Sequence, residues 1–322
     1  MARRKSARRL GGISLEVGHA AATRSPHNAA MRALVLRRGA LGDTLILLPI
    51  LEALAATGRV TTLDCAGSSD FVPLFAAHGL VRRAFSSESL ALHRTLRGEG
   101  LGLLADYDIV IGERALPDGD ARNLDFDVHI DANGEVAASR QLFDRFARAW
   151  RARFETELEH DGRLRLMAKS PARPPRSPKR LWVQLGAGSP KRVWPGLEPA
   201  GPQLISSWLD RGIDVTVGVG PADEGLGRLA LDARAQWARS PDIVQLAAGI
   251  ASAALYIGHD TGPSHLAAAT ATPTIVLHGP LTPTRVWLPL GLAPTTAVAW
   301  TDKSTSDVSA ALDALVCRHF GI

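Results

Sequence analysis

The chain has little sulfur, no long apolar run and, over most of its length, no net charge. Its two cysteines, Cys65 and Cys317, stand far apart with no CxxC pair or Cys/His cluster near them. That excludes a disulfide framework and a cysteine-based zinc site, and makes a reducing, cytoplasmic compartment the expectation. Apolar runs such as Leu45 to Leu51 are closed off by Asp43 and Glu52, well short of the ~20 residues a membrane-spanning helix needs. The formal charge of +5 is confined to one end: residues 1–30 hold six bases against Glu16, and the remainder holds 31 bases and 31 acids. A nucleic-acid partner is therefore not indicated, because the part that folds offers no excess of positive charge.

What is present is the composition of a globular protein, 46% apolar and 21% charged over 322 residues, enough for about two domains. Residues 1–30 are Arg-rich and acid-poor, superficially like a transit peptide, but without the apolar segment of a secretory signal. They read as a basic, disordered tail whose charge suits at most a weak contact with anionic lipid. Met31, directly before the first convincing strand, is a candidate start.

From Arg32 onward short apolar runs alternate with helical patterns. Ala33 to Leu36, Val60 to Cys65 and Tyr107 to Gly112 read as strands; Thr44 to Ala56, with a possible kink at Pro49, and Asp70 to Gly79 read as helices, and Glu135 to Glu157 as a long amphipathic one. Residues 169–180 carry four prolines, five bases and no acid, which excludes a packed helix or a central strand and marks a linker. Beyond it, strands are expected at Leu181 to Leu185, Ile213 to Val219, Leu255 to Gly258 and Thr274 to Leu277. Helices are expected around Ile205 to Arg211, at Leu226 to Trp237, Ile243 to Ala254 and Val308 to His319. The order implies an α/β chain with two units, residues 31–168 and 181–322, each a parallel sheet covered by helices. Ligands of such sheets bind beyond the carboxyl ends of the strands.

Three segments lie just there. Arg37-Arg38-Gly39-Ala40-Leu41-Gly42-Asp43 follows the first strand; it is neither a G-x-G-x-x-G fingerprint nor a Walker loop. Asp43 in that turn suits either a helix cap or a general base. Gly186 to Pro195 follows the first strand of the second unit, and its Gly188, Ser189, Lys191 and Arg192 suit a phosphate group as well as they suit an ordinary polar loop. The third, Gly258-His259-Asp260-Thr261-Gly262-Pro263-Ser264-His265 followed by Leu266 and three alanines, opens a helix whose N-terminus favours a diphosphate. A lone His265 would by itself be an ordinary core histidine.

Taken together and in this order, the three segments resemble the ADP-heptose:lipopolysaccharide heptosyltransferase family, glycosyltransferase family nine. The resemblance runs from Met31 to the C-terminus and is strongest between Leu255 and Pro289, where YIGHDTGPSHLAAATATPTIVLHGP looks like the family's Asp-Thr-Gly-Pro-x-His signature. The Gly42-Asp43 turn and the Trp194-Pro195 pair match two further motifs. The resemblance implies the GT-B architecture, two Rossmann-like domains facing across a cleft, and an inverting glycosyltransferase that needs no metal or other cofactor. In that reading Asp43 matches the general base, with Arg37, Arg38 and Gly42 on the acceptor side. Gly188, Ser189, Lys191 and Arg192 match the phosphate loop, where the family commonly has lysine at position 192. Glu224 matches the acidic position near the ribose, and Asp260, Thr261, Gly262 and His265 match the diphosphate and sugar site. The implied partners are a nucleotide-sugar donor and an anionic glycolipid acceptor of lipopolysaccharide-core type, met by a monomer in transient contact with the inner membrane. The alternatives are a nucleotide-sugar epimerase of the same architecture and a non-catalytic sugar-nucleotide-binding protein.

Overall fold

A computed structural model describes residues 30–89, 92, 94, 102–112, 120–166, 175–220, 223, 225–226 and 229–322. Residues 1–29 of the basic tail, residues 169–174 of the proline-rich segment and Glu224 lie outside the described residues. Two wholly parallel sheets form the frame. The first contains β1 (Met31–Leu36), β2 (Val60–Gly67), β3 (Arg83–Ser86), β4 (Ile109–Ile111) and β5 (Asn123–Leu124) in the order β3-β2-β1-β4-β5. The second contains β6 (Ser177–Gln184), β7 (Asp214–Val219), β8 (Gln236–Arg239), β9 (Ala253–His259), β10 (Thr274–His278) and β11 (Thr295–Ala299) in the order β11-β10-β9-β6-β7-β8. Each sheet reverses direction beside its own first strand, between β1 and β4 and between β6 and β9, which is the doubly wound order that leaves a crevice at the carboxyl edge. The central strands β9 and β10 are buried at every position, as strands covered on both faces must be.

The helices are α1 (Leu41–Leu45), α2 (Leu48–Ala56), α3 (Pro73–Ala77), α4 (Ala138–Phe154), α5 (Leu197–Asp210), α6 (Ile243–Ala251), α7 (Gly262–Ala269), α8 (Thr284–Trp287) and α9 (Thr305–Phe320). The helix expected from Thr44 to Ala56 is broken after Leu45. Pro49 takes an early position in α2, where its missing N–H costs nothing. α4 buries Leu142, Phe143, Phe146 and Trp150, the stripe its periodicity announces.

Two expectations are corrected. The described residues of the span from Leu226 to Trp237 form no α-helix; its last two open β8, an edge strand in parallel register with β7 from Thr216↔Gln236 to Val219↔Arg239, and the Arg239 guanidinium lies 4.3 Å from the Trp237 ring centre. The proline-rich segment also does not stay a linker to Lys179 and Arg180, because β6 starts at Ser177 and runs centrally through Pro178. The ladder tolerates the proline because the register with β9 is irregular between Ser177 and Leu181, and pairing with β7 begins only at Arg180.

The two sheets do not stand apart. α1 lies against α7, and α3 against α6, so that Leu41, Leu45 and Phe75 of the first unit share one apolar cluster with Ile250, Leu266 and Ala267 of the second. The chain also crosses over: the N–H groups of Leu164 and Leu166 donate to the carbonyls of Leu290 and Ala269, at 2.7 and 2.8 Å. Arg285 in α8 reaches back to the carbonyls of Asn133 and Gly134, both at 3.0 Å. No helix among the described residues is long and apolar enough to cross a membrane.

Candidate active site

All three segments fall at carboxyl strand ends, after β1, β6 and β9, and the packing of α1 on α7 brings the first and third together. Gly262 approaches so closely that a methyl group placed on it would lie 2.5 Å from Leu41 Cβ and 3.1 Å from the Gly42 nitrogen. Only glycine permits that contact, which joins the two units at the site itself. A methyl on Gly42 would lie 3.6 Å from His265 Cδ2, so the His265 ring faces the Asp43 turn.

Asp43 has two engagements. Its Oδ2 accepts from the Ala40 N–H at 3.1 Å, capping α1, and its Oδ1 lies 3.3 Å from Arg37 Nη2. About a third of the side chain remains exposed, so the carboxylate both caps the helix and faces the crevice. Arg37 is held by Asp43, which leaves Arg38, exposed at the rim, as the freer cation of that turn. Gly39, at φ +146°, lets the carboxylate lie over the backbone; a side chain there would meet Asp43 Cβ at 2.6 Å.

α7 begins where β9 ends. Thr261 stands extended at the helix N-cap without capping by its side chain, and Pro263 occupies the first turn. Thr261 Oγ1 and Ser264 Oγ donate instead to the His259 carbonyl, at 3.3 and 2.5 Å. Pro263 has no N–H and that of Ser264 donates to the Thr261 carbonyl at 3.0 Å, so the N–H of Gly262 is the one the first turn leaves to a ligand. Asp260 is nearly buried and accepts from Thr282 Oγ1. Burial holds the His265 pKa down to about 4 against the pull of Asp260 and Asp43, with His278 pushing the same way as burial. The ring is neutral at pH 7.

The second segment is tied to the third at two points. Arg192 Nη1 donates to the Asp260 carbonyl at 3.4 Å, and the Trp194 N–H donates to His259 Nε2 at 3.0 Å. Gly188 adopts φ +62°, a left-handed conformation that turns successive N–H groups to one side, as an anion cradle requires. That cradle holds a carboxylate of the chain itself: the N–H groups of Ala187 and Gly188 both donate to Asp223 Oδ1 at 3.3 Å. Ser189 precedes a short 3-10 turn from Pro190 to Arg192, on which Lys191 is exposed. Asp223, His278 and Thr282 were not singled out by the sequence; Asp223 sits one residue before the expected acid, and the other two flank the Gly279-Pro280 turn that ends the signature region. Among the described residues no three His, Cys, Asp or Glu side chains come together as a metal site.

A groove of about 1020 Å³ lies elsewhere, along α4. Most of its charges pair within the groove: Arg140 with Asp144 and Arg151 with Glu157, each at 2.9 Å, and Arg165 with Asp161. Arg148 lines it as well and takes part in none of these pairs.

With this geometry in place, the sequence profile of glycosyltransferase family 9 (heptosyltransferase) matches residues 119–311. The chain belongs to glycosyltransferase family 9. The matched region contains both donor-side segments and begins after the Asp43 turn. No curated protein matches the chain in sequence. Among solved structures, Escherichia coli heptosyltransferase WaaC with ADP aligns with a TM-score of 0.68 at 19% identity, covering 90% of this chain and all of that one. E. coli ADP-heptose LPS heptosyltransferase II aligns at 0.65 and 17%, covering 89% and 99%. The family 9 glycosyl transferase of Veillonella parvula aligns at 0.63 and 14%, covering 88% and 91%. The fold of this family 9 glycosyltransferase is therefore GT-B, two Rossmann-like units.

Proposed function

We propose that this heptosyltransferase-type enzyme moves a heptose or related sugar from an ADP-linked donor to a hydroxyl of an anionic, lipopolysaccharide-core-type glycolipid, inverting the anomeric carbon without a metal. The observation that carries the reading is the abutment of α1 on α7, which sets the Asp43 carboxylate across the crevice from a helix N-terminus suited to a diphosphate. The acceptor unit would span residues 31–168 and the donor unit 181–322, working as a monomer at the cytoplasmic face of the inner membrane. Asp43 removes the acceptor proton as the hydroxyl oxygen bonds to the anomeric carbon. The bond from that carbon to the β-phosphate oxygen breaks, and its electron pair leaves with the nucleoside diphosphate. Arg192, Lys191, Ser189, Thr261 and the Gly262 N–H at the start of α7 face the charge that develops there, while Gly262 and His265 line the sugar and Glu224 takes the ribose. Gly42 and Arg38 are left to the acceptor.

Thermal-shift titration with ADP, UDP and GDP tests the donor class. ADP is expected to raise Tm the most; equal shifts from all three, or none, would remove the assignment. A second expected result concerns the occupied cradle. If the donor phosphate takes the Ala187 and Gly188 N–H groups, Asp223 competes with it, so Asp223→Ala should tighten ADP severalfold and leave adenosine unaffected when both are measured by calorimetry. Weaker ADP binding in that variant would mean that Asp223 shapes the loop for the donor instead.

A further inference from the structure

His278 ends β10, and the register Leu277↔His259 sets it beside Asp260, the residue after β9. Leu255, Ile257, Ile275 and Leu277 fill the core of the second unit. Alternation along the strands therefore turns His278 and Asp260 to the opposite face, the one covered by α7. The His278 ring is 1% exposed, and neither of its nitrogens has a partner; His265 Nδ1, also buried, has none. A buried imidazole with both polar atoms unpaired is destabilising, and such groups call for a use.

The charges that face this pair come from every neighbouring element. Asp260 acts on both rings, and Asp43 of α1 acts on His265. Arg192, from the loop after β6, lies on the Asp260 backbone carbonyl, and Thr282 donates to the Asp260 carboxylate. Burial outweighs the pull of Asp260 and keeps His278 below its usual pKa, so both rings are neutral at pH 7 until more negative charge arrives. A nucleoside diphosphate at the start of α7 brings that charge, which favours the protonated form of a nearby imidazole.

We propose that His278 is a positioning residue for the donor: together with His265 it takes up a proton from solvent when a nucleoside diphosphate binds, so that an imidazolium behind Asp260 offsets the added negative charge. This rests on the donor reading above. The proton returns to solvent when the diphosphate leaves. By linkage, the same coupling makes diphosphate binding tighten as pH falls below neutrality.

The test is calorimetry of ADP binding to the full chain near neutral pH in buffers of different ionisation heat, which counts the protons taken up. Wild type is expected to take up protons. His278→Phe, which keeps a ring and removes both nitrogens, should take up markedly fewer and bind ADP about five- to tenfold more weakly, with an unliganded Tm equal to or above that of wild type. His278→Gln serves as the second variant should phenylalanine fit poorly. No uptake by wild type, or uptake unchanged in the variants whatever their affinity, would overturn the proposal. A wild type that binds ADP without proton uptake leaves the donor reading intact, whereas binding of no nucleoside diphosphate at all defeats both.

Discussion

Asp43→Asn should lower the rate of sugar transfer about 10²- to 10⁴-fold, the usual contribution of a positioned general base, while leaving ADP affinity within about twofold of wild type. Asparagine keeps an oxygen for the Ala40 N–H, so the cap on α1 survives and the loss can be assigned to proton removal. Asp43→Ala removes that cap as well, adding a stability loss of about 1 kcal/mol. The turn itself is held from several sides, by Arg37 on Oδ1, by Gly39 beneath the carboxylate and by Gly262 against Leu41. Asparagine should therefore leave its geometry unchanged. Single-turnover transfer measured beside ADP calorimetry separates the two effects. Near-normal transfer by Asp43→Asn would return Asp43 to being only a helix cap.

The largest stability effect is expected far from the crevice, at Asp64 in β2. Its side chain is fully buried and accepts from Tyr107 Oη at 2.6 Å, Arg82 Nη2 at 2.7 Å, and the Arg83 backbone, Nε and Nη2 at 3.0, 3.2 and 3.1 Å. One carboxylate thus joins β2 to the start of β3 and to the residue that leads into β4. Removing one partner of a buried pair costs about 3–5 kcal/mol. Both arginines are about half exposed and can turn to water, so Asp64→Ala belongs at the lower end, with the Tyr107 O–H left without the acceptor it donates to. That corresponds to a Tm lower by roughly 6–12 °C. Burial opposes the charge on Asp64, but the hydrogen bonds from Arg82, Tyr107 and Arg83 outweigh it and hold the pKa below the ordinary 3.8. A lowered native pKa contributes stability in full above the unfolded value and loses it as pH falls through the native one. The Tm gap between wild type and Asp64→Ala should accordingly be widest near neutrality and close in strong acid. His259 and His265, both held near 4 by burial, have the same sign: their contribution is lost as pH falls from about 6.5 toward 4. They weaken wild type and variant alike.

The donor-side motifs were legible because each rests on local chemistry. A small residue, a proline or a hydroxyl next to a strand end is visible in a window of ten residues, and so are the apolar runs of β1, β6, β9 and β10. The edge strands β3, β5, β8 and β11 were not; Arg83-Ala84-Phe85-Ser86 and Gln236-Trp237-Ala238-Arg239, for instance, have mixed polarity and become strands only by pairing with β2 and β7. Pro178 misled in the same way. Read alone, a proline excludes a central strand; in the sheet, the irregular register with β9 leaves its missing N–H without consequence.

By itself the sequence determined the α/β class with parallel sheets, the charge-neutral body and the places after β1, β6 and β9 where ligands belong, because these follow from period, composition and turn chemistry within short spans. Only the tertiary structure decided that Gly262 meets Leu41, that Arg37 is held by Asp43, that Asp223 sits on the amides of Ala187 and Gly188, and that His278 stands unpartnered beside Asp260. Each of these is a contact between segments far apart in the chain or between side chains whose direction depends on packing. Close approach and burial, which set the electrostatics of the site, exist only once the two sheets are brought together.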